Sequence, residues 1–212
     1  MANAGSGFTI VNNTAENLRV AVFKKNYKVP NLGVTAWQVV NPPTQGGSIY
    51  VTVPQTYEVF INYPGPYDDQ TDPTAGYQTP KITVNSSTGT FNVTTSKTLD
   101  GKAVTAKLAQ TSQNVVPNEM HIQNQAGFGV WGHITKSGQD IYPPQIVWPG
   151  GVMMQDIRPE LYVAVVAYYV QQGSTMKDEE IDATSTEVTI GQVATVSGSA
   201  WTGYSIVVAN QG

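Results

Sequence analysis

Three features of this 212-residue chain point to an all-β protein. Short runs rich in Val, Thr, Ile and Tyr alternate apolar with polar residues. Clusters of Gly, Pro, Asn and Asp interrupt these runs at spacings of about 8–12 residues, as in a sandwich or barrel. The third feature is that one order of motifs occurs twice. Period-two alternation places every second side chain on one face of a strand, and β-branched residues suit that pleated surface.

In the first half, strands are expected near 8–12, 18–23, 36–40, 48–53, 57–63, 80–84, 90–94 and 103–108. Between them lie Asn41-Pro42-Pro43, Gly46-Gly47, Pro64-Gly65-Pro66, Ser87-Thr88-Gly89 and Asp100-Gly101. Tyr57, Val59, Ile61 and Tyr63 share one face of their strand. Residues 98–113 come nearest to a helix pattern, but Gly101 and the counterpart Tyr204–Ala209 argue for strand.

The second half repeats the order. Phe8-Thr-Ile10-Val-Asn12 matches Met120-His-Ile122-Gln-Asn124, and the Val-rich run Leu18–Phe23 matches Gly129–Ile134. The glycine pair Gly46-Gly47 matches Gly150-Gly151, and Pro54 matches Pro159. Tyr57–Tyr63 matches Tyr162–Tyr168, and Lys81–Val84 matches Glu187–Ile190. The offsets are 112, then 104, 105 and 106 residues, so a deletion of eight residues near 133–149 explains most of the change. The expectation is two tandem, diverged copies of an antiparallel β-sandwich-like unit packed together, residues 1–114 and 115–212. Ile10 should then superpose on Ile122, Tyr57 on Tyr162 and Tyr63 on Tyr168. Leu161–Tyr169 is apolar on both faces and reads as a central, covered strand.

Composition excludes several chemistries. Charged residues make up only 12%, and the net charge is −4. No basic stripe exists to neutralise phosphates, so no nucleic-acid partner is expected. Residues 1–114 carry eight Lys/Arg against six Asp/Glu, and residues 115–212 carry three against nine. Drift between two copies is the first reading of this difference, and a homo-oligomer built head to tail from unlike faces is the alternative. Without cysteine there are no disulfides, thiol nucleophiles or Cys-based zinc sites. No classical signal peptide is read at the start, which leaves a cytoplasmic chain or a non-classical export route. The longest apolar run, Leu161–Val170, is about half a membrane span, so no transmembrane segment is expected.

Catalytic groups are sparse. His121 and His133 lie in expected strands, with His121 facing outward between Met120 and Ile122. No Gly-x-Ser-x-Gly elbow accompanies them. Gly127-Phe-Gly129-Val-Trp-Gly132 spells a dinucleotide fingerprint, yet no helix follows to hold a pyrophosphate. The chain is therefore read as no enzyme. Two acidic loops stand out: Asp68, Asp69 and Asp72 after Tyr63, and Asp178, Glu179, Glu180 and Asp182 after Tyr168. Clustered carboxylates supply oxygen ligands for calcium, and a solvated acidic loop is the alternative.

Aromatic residues form the other candidate surface: Tyr63, Tyr67, Tyr77, Tyr142, Trp148 and Tyr168, with Tyr169 beside the last. Exposed rings with polar edges suit sugars or protein surfaces. Trp37 and Trp201, in strand-like sequence, read as core. The reading that follows is a recognition protein binding a glycan or a cell-surface partner through loops at the sandwich ends. A membrane-active toxin and a self-assembling structural protein are the alternatives.

Overall fold

The computed structural model describes residues 6–25, 27, 33–65, 76–85, 88–97, 104–177, 181 and 185–211. Among them there are strands and turns, with no helix, and so no helix long and apolar enough to cross a membrane. The first half contributes β1 (Gly7–Asn12), β2 (Val20–Phe23), β3 (Val34–Thr35), β4 (Gln38–Val40) and β5 (Gly47–Thr52). It continues with β6 (Tyr57–Pro64), β7 (Gly76–Gln78), β8 (Ile82–Val84), β9 (Gly89–Lys97) and β10 (Val104–Thr111). Next come β11 (Glu119–Asn124), β12 (Val130–Lys136), β13 (Gln139–Asp140), β14 (Gln145–Val147) and β15 (Val152–Asp156). The last are β16 (Leu161–Val165), β17 (Thr175–Met176), β18 (Thr186–Val188), β19 (Gln192–Ser199) and β20 (Gly203–Asn210).

These strands form five sheets in two compact units, each drawing on both halves of the chain. Unit 1 comprises residues 1–55, 141–143 and 159–212. It holds the sheets β20-β19-β1-β5 and β18-β16-β2-β4 and the pair β17-β3. Unit 2 comprises residues 56–140 and 144–158. It holds the sheet β10-β9-β11-β15 and a sheet of order β13-β12-β6-β7, in which β14 also pairs with β12 and β8 with β6.

The two units use the same pairings. β1 runs parallel to β19 and antiparallel to β5, with Ile10 opposite Ile49. β11 runs parallel to β9 and antiparallel to β15, with Ile122 opposite Met153. Asn12 Nδ2 donates to the carbonyls of Glu16 and Pro42, while its Oδ1 accepts from the Thr14 amide. Asn124 Nδ2 donates to the carbonyls of Phe128 and Val147, while its Oδ1 accepts from the Ala126 amide. Both asparagines are buried.

The paired glycines have a steric reason. Gly46 and Gly150 sit at φ 88° and 76°, where L side chains are strained. A Cβ on Gly47 would fall 2.4 Å from Pro43 Cβ, and one on Gly151 would fall 2.9 Å from the Trp148 carbonyl oxygen. Each pair leads into the edge strand that follows, β5 or β15.

The strand Leu161–Tyr169 proves shorter than its apolarity suggests. All five residues of β16 are buried, and it lies inside its sheet between β2 and β18. On one face, Ala21, Phe23, Tyr162 and Ala164 pack with Val34, Ala36, Val170 and Met176. On the other, Val20, Val22, Val163 and Val165 are also buried. Beyond Val165 the chain turns, closed by the Val170 amide donating to the Ala167 carbonyl at 3.1 Å. Tyr168 and Tyr169 occupy the corners of that turn and project into solvent.

The ladders also shift one expected match. Tyr57 lies opposite Val84, so the matches put Tyr162 opposite Ile190; Tyr162 instead lies opposite Glu187, an odd number of residues away, and Leu161 opposite Val188. One residue of shift exchanges the faces of a strand. Tyr57 and Tyr162 are nevertheless both buried and bonded: the Tyr57 hydroxyl donates to the Ile157 carbonyl at 3.4 Å, and the Tyr162 hydroxyl meets Tyr27 and Glu187.

Candidate functional site

The site begins where β2 leaves its ladder. The Val166 amide donates to the Arg19 carbonyl at 2.9 Å, one step past the Val20–Val165 pair. Arg19 Nη1 then donates to the Tyr168 carbonyl. This fixes the Ala167–Val170 turn against the loop between β1 and β2. That loop is held from its other end, because Asn12 binds the Glu16 carbonyl and the Thr14 hydroxyl accepts from the Glu16 amide.

Between loop and turn lies an open depression of about 400 Å³ lined by Asn17, Leu18, Arg19, Asn41, Val166 and Tyr168. Tyr168 is 84% exposed, and its ring meets that of Tyr169 edge to face at 5.7 Å. Arg19 Nε is shut away from solvent and, among the described residues, donates to no group. Two amide side chains, one guanidinium and a projecting phenol ring therefore surround a shallow space. Such a set donates several hydrogen bonds and offers one flat apolar face.

Glu16 belongs to the same loop. Its carboxylate accepts from the Ala200 amide at 3.3 and 3.2 Å and from the Tyr204 hydroxyl. This braces the turn between β19 and β20, where Ser199 Oγ and Thr202 Oγ1 lie 3.0 Å apart. At the turn's tip Trp201 is 96% exposed, which corrects the expectation that it is core. Apolar residues alternate in this stretch, but a tip side chain has no sheet partner to cover it. Trp37, by contrast, is buried as expected.

The other sequence candidates are spread out. In unit 2, Tyr63 is buried and stacks between exposed Tyr77, 5.9 Å away, and Phe128, 6.3 Å away. Burial, then the neighbouring Tyr77, raises the Tyr63 hydroxyl pKa. Tyr142 is buried in unit 1, its hydroxyl donating to the Lys25 carbonyl at 3.2 Å. Trp148 is half exposed in unit 2, with its ring where a Gly129 Cβ would stand. Tyr67, Asp68, Asp69, Asp72, Asp178, Glu179, Glu180 and Asp182 lie outside the described residues. Among the described residues no group of three His, Cys, Asp or Glu side chains converges on a metal position.

Both histidines have carboxylate partners. His121 is buried, not outward-facing, because β11 lies inside its sheet and is covered on both faces; its Nε2 sits 2.7 Å from Glu119 Oε2. His133 stacks on Phe60 at 4.6 Å with an interplanar angle of 5°. Its Nδ1 is 3.1 Å from Asp140 Oδ1 and its Nε2 is 3.3 Å from Asn62 Nδ2. His133 thus bridges the Asp140 carboxylate and the Asn62 carboxamide. Gly127–Gly132 leads into β12 and not into a helix.

Sequence reasoning missed Arg19, Asn17 and Asn41. The one signal available was a lone guanidinium at the head of the apolar run Leu18–Phe23, where a charge needs a purpose. No family model, no curated protein and no solved structure matches the chain.

Proposed function

We propose that this chain is a non-enzymatic recognition protein that binds a glycan in the Arg19–Tyr168 depression of unit 1. The observation carrying this reading is a solvent-facing tyrosine pair on a braced turn, beside a guanidinium and two carboxamides. Sugar rings combine an apolar face with a rim of hydroxyls, and this combination of side chains answers both. The site stands on loops held by a rigid scaffold, where recognition residues commonly gather.

The framework is read as a duplicated sandwich-like unit whose copies have exchanged halves. The matched asparagine bonds, the matched glycine pairs and the parallel β1–β19 and β11–β9 pairings support it. At the 112-residue offset shared by Ile10 and Ile122, Arg19 corresponds to Trp131, so unit 2 lacks the guanidinium. One site per chain follows.

A glycan microarray, followed by titration calorimetry on the hits, tests the reading. Wild-type protein should bind with one site per chain. Arg19→Gln and Tyr168→Ala should each weaken binding about tenfold, the effect of losing about 1.4 kcal/mol. Because Tyr168 is exposed, its variant should keep the wild-type melting temperature. Absence of any glycan hit, or hits indifferent to both substitutions, overturns the proposal.

A further inference from the structure

Arg19 and Trp201 together specify the glycan further, an inference that rests on the reading above. We infer that the ligand is an acidic oligosaccharide whose carboxylate or sulfate sits on Arg19 while a later ring stacks on Trp201. Among the described residues the Arg19 guanidinium meets no carboxylate: its bond goes to the Tyr168 carbonyl, and its Nε goes to nothing. The nearest acid along the chain, Glu16, is committed to Ala200 and Tyr204. A partly buried cation without an anion is charge-complementary to an acidic ligand, and a guanidinium matches a carboxylate or sulfate in a forked pair.

Trp201 supplies the second contact. Its ring is almost wholly exposed on a turn fixed by the Ser199–Thr202 hydroxyl pair and by Glu16. No charged residue follows Glu187, so the whole β19–β20 hairpin is uncharged. A charged hairpin would repel or compete for the acidic group, and this one does neither. The two contacts are near one another: Glu16 binds the residue before Trp201, and three residues of chain from Glu16 to Arg19 span at most about 11 Å. A short oligosaccharide covers that reach, whereas a monosaccharide does not.

Calorimetry with a hyaluronan hexamer (uronate), a heparin-derived hexamer (sulfate), chitohexaose (neutral) and free glucuronic acid provides the test. At least one acidic hexamer should bind tenfold or more tightly than chitohexaose, and the better of the two identifies the anion. Arg19→Gln should bring acidic and neutral hexamers within threefold, while Arg19→Lys, which keeps the charge, retains the preference. Trp201→Ala should weaken the acidic hexamer about tenfold and leave glucuronic acid unchanged. Chitohexaose binding as well as the acids overturns the inference, as does a hexamer affinity indifferent to Trp201→Ala. In either case Arg19- and Tyr168-dependent glycan binding still stands. Failure of every glycan on the array overturns the recognition reading itself.

Discussion

At Asn12 one carboxamide makes four hydrogen bonds: to the Glu16 and Pro42 carbonyls, and from the Thr14 amide and hydroxyl. Ala at this position removes these bonds from the Pro42 carbonyl and the Thr14 amide, while the Thr14 hydroxyl still reaches the Glu16 carbonyl; each buried group left without a partner costs about 1–3 kcal/mol. Asn12→Ala should therefore lower stability by at least about 2 kcal/mol in urea denaturation, and Asn124→Ala should do the same. A loss under about 0.5 kcal/mol would show that water replaces the carboxamide. The sequence displayed both asparagines in matching strands, but a shared letter does not reveal what its side chain holds.

Lys136 and Tyr57 set an alkaline optimum. Burial pulls the Lys136 pKa down from 10.5 to about 8, while burial and the Asp156 carboxylate push Tyr57 from 10.0 up to about 12. The ammonium lies 4.3 Å over the tyrosine ring. Between about pH 8 and 10.5 the unfolded chain holds a lysine proton that the folded one has released, so stability rises with pH. Above about pH 10 the unfolded tyrosine ionises while the folded one stays neutral, so stability falls. Burial, then the Tyr27 hydroxyl and Glu187, raise the Tyr162 pKa and steepen that fall. Melting temperature should climb from pH 8, peak near pH 10 and then drop. Lys136→Met should abolish the climb and keep the drop.

At the scale of the element, alternation located most of the strands. Observed β1, β2, β5, β6, β8, β9 and β10 each fall within about three residues of an expected boundary. The expected strand 36–40 instead begins at Gln38, after a gap that buries Ala36 and Trp37. Failures cluster at turns. The run Leu161–Tyr169 looks like one strand because a turn that projects two tyrosines is as apolar in sequence as a core strand. Trp201 misleads for the same reason. Its turn also carries a steric demand: Gly198 has φ +100°, and a Cβ there would lie 2.2 Å from the Gly203 carbonyl oxygen. Gly198→Ala should cost about 1–3 kcal/mol by forcing the turn open. It should weaken oligosaccharide binding as Trp201→Ala does. An unchanged melting temperature would mean that the turn relaxes without loss.

For the whole molecule, motif order pointed to a repeat but not to units that each draw on both halves of the chain. Nothing in local pattern says that β1, besides pairing with β5 of its own half, also pairs with β19, where Thr9 lies opposite Val193. The chain passes between units at residues 55–56, 140–141, 143–144 and 158–159. A fragment of residues 1–114 has β1 without β19, and β9 without β11. It should show no cooperative melting. Mixed with residues 115–212 it should regain a native-like β spectrum and a sharp transition. Independent melting of either fragment would contradict the interlaced topology.

That topology also imposes an order on synthesis. A ribosome releases the chain from its start, and domains close as their last segment emerges. Unit 2 is complete once Arg158 is out, whereas unit 1 waits for β19 and β20. Residues 1–55 are thus fully covered only after unit 2 has closed, and during that wait β1 lacks its partner β19 and β2 its partner β16. Only with β19 in place does the Asn13 amide find the Val196 carbonyl and the loop between β1 and β2 take its shape.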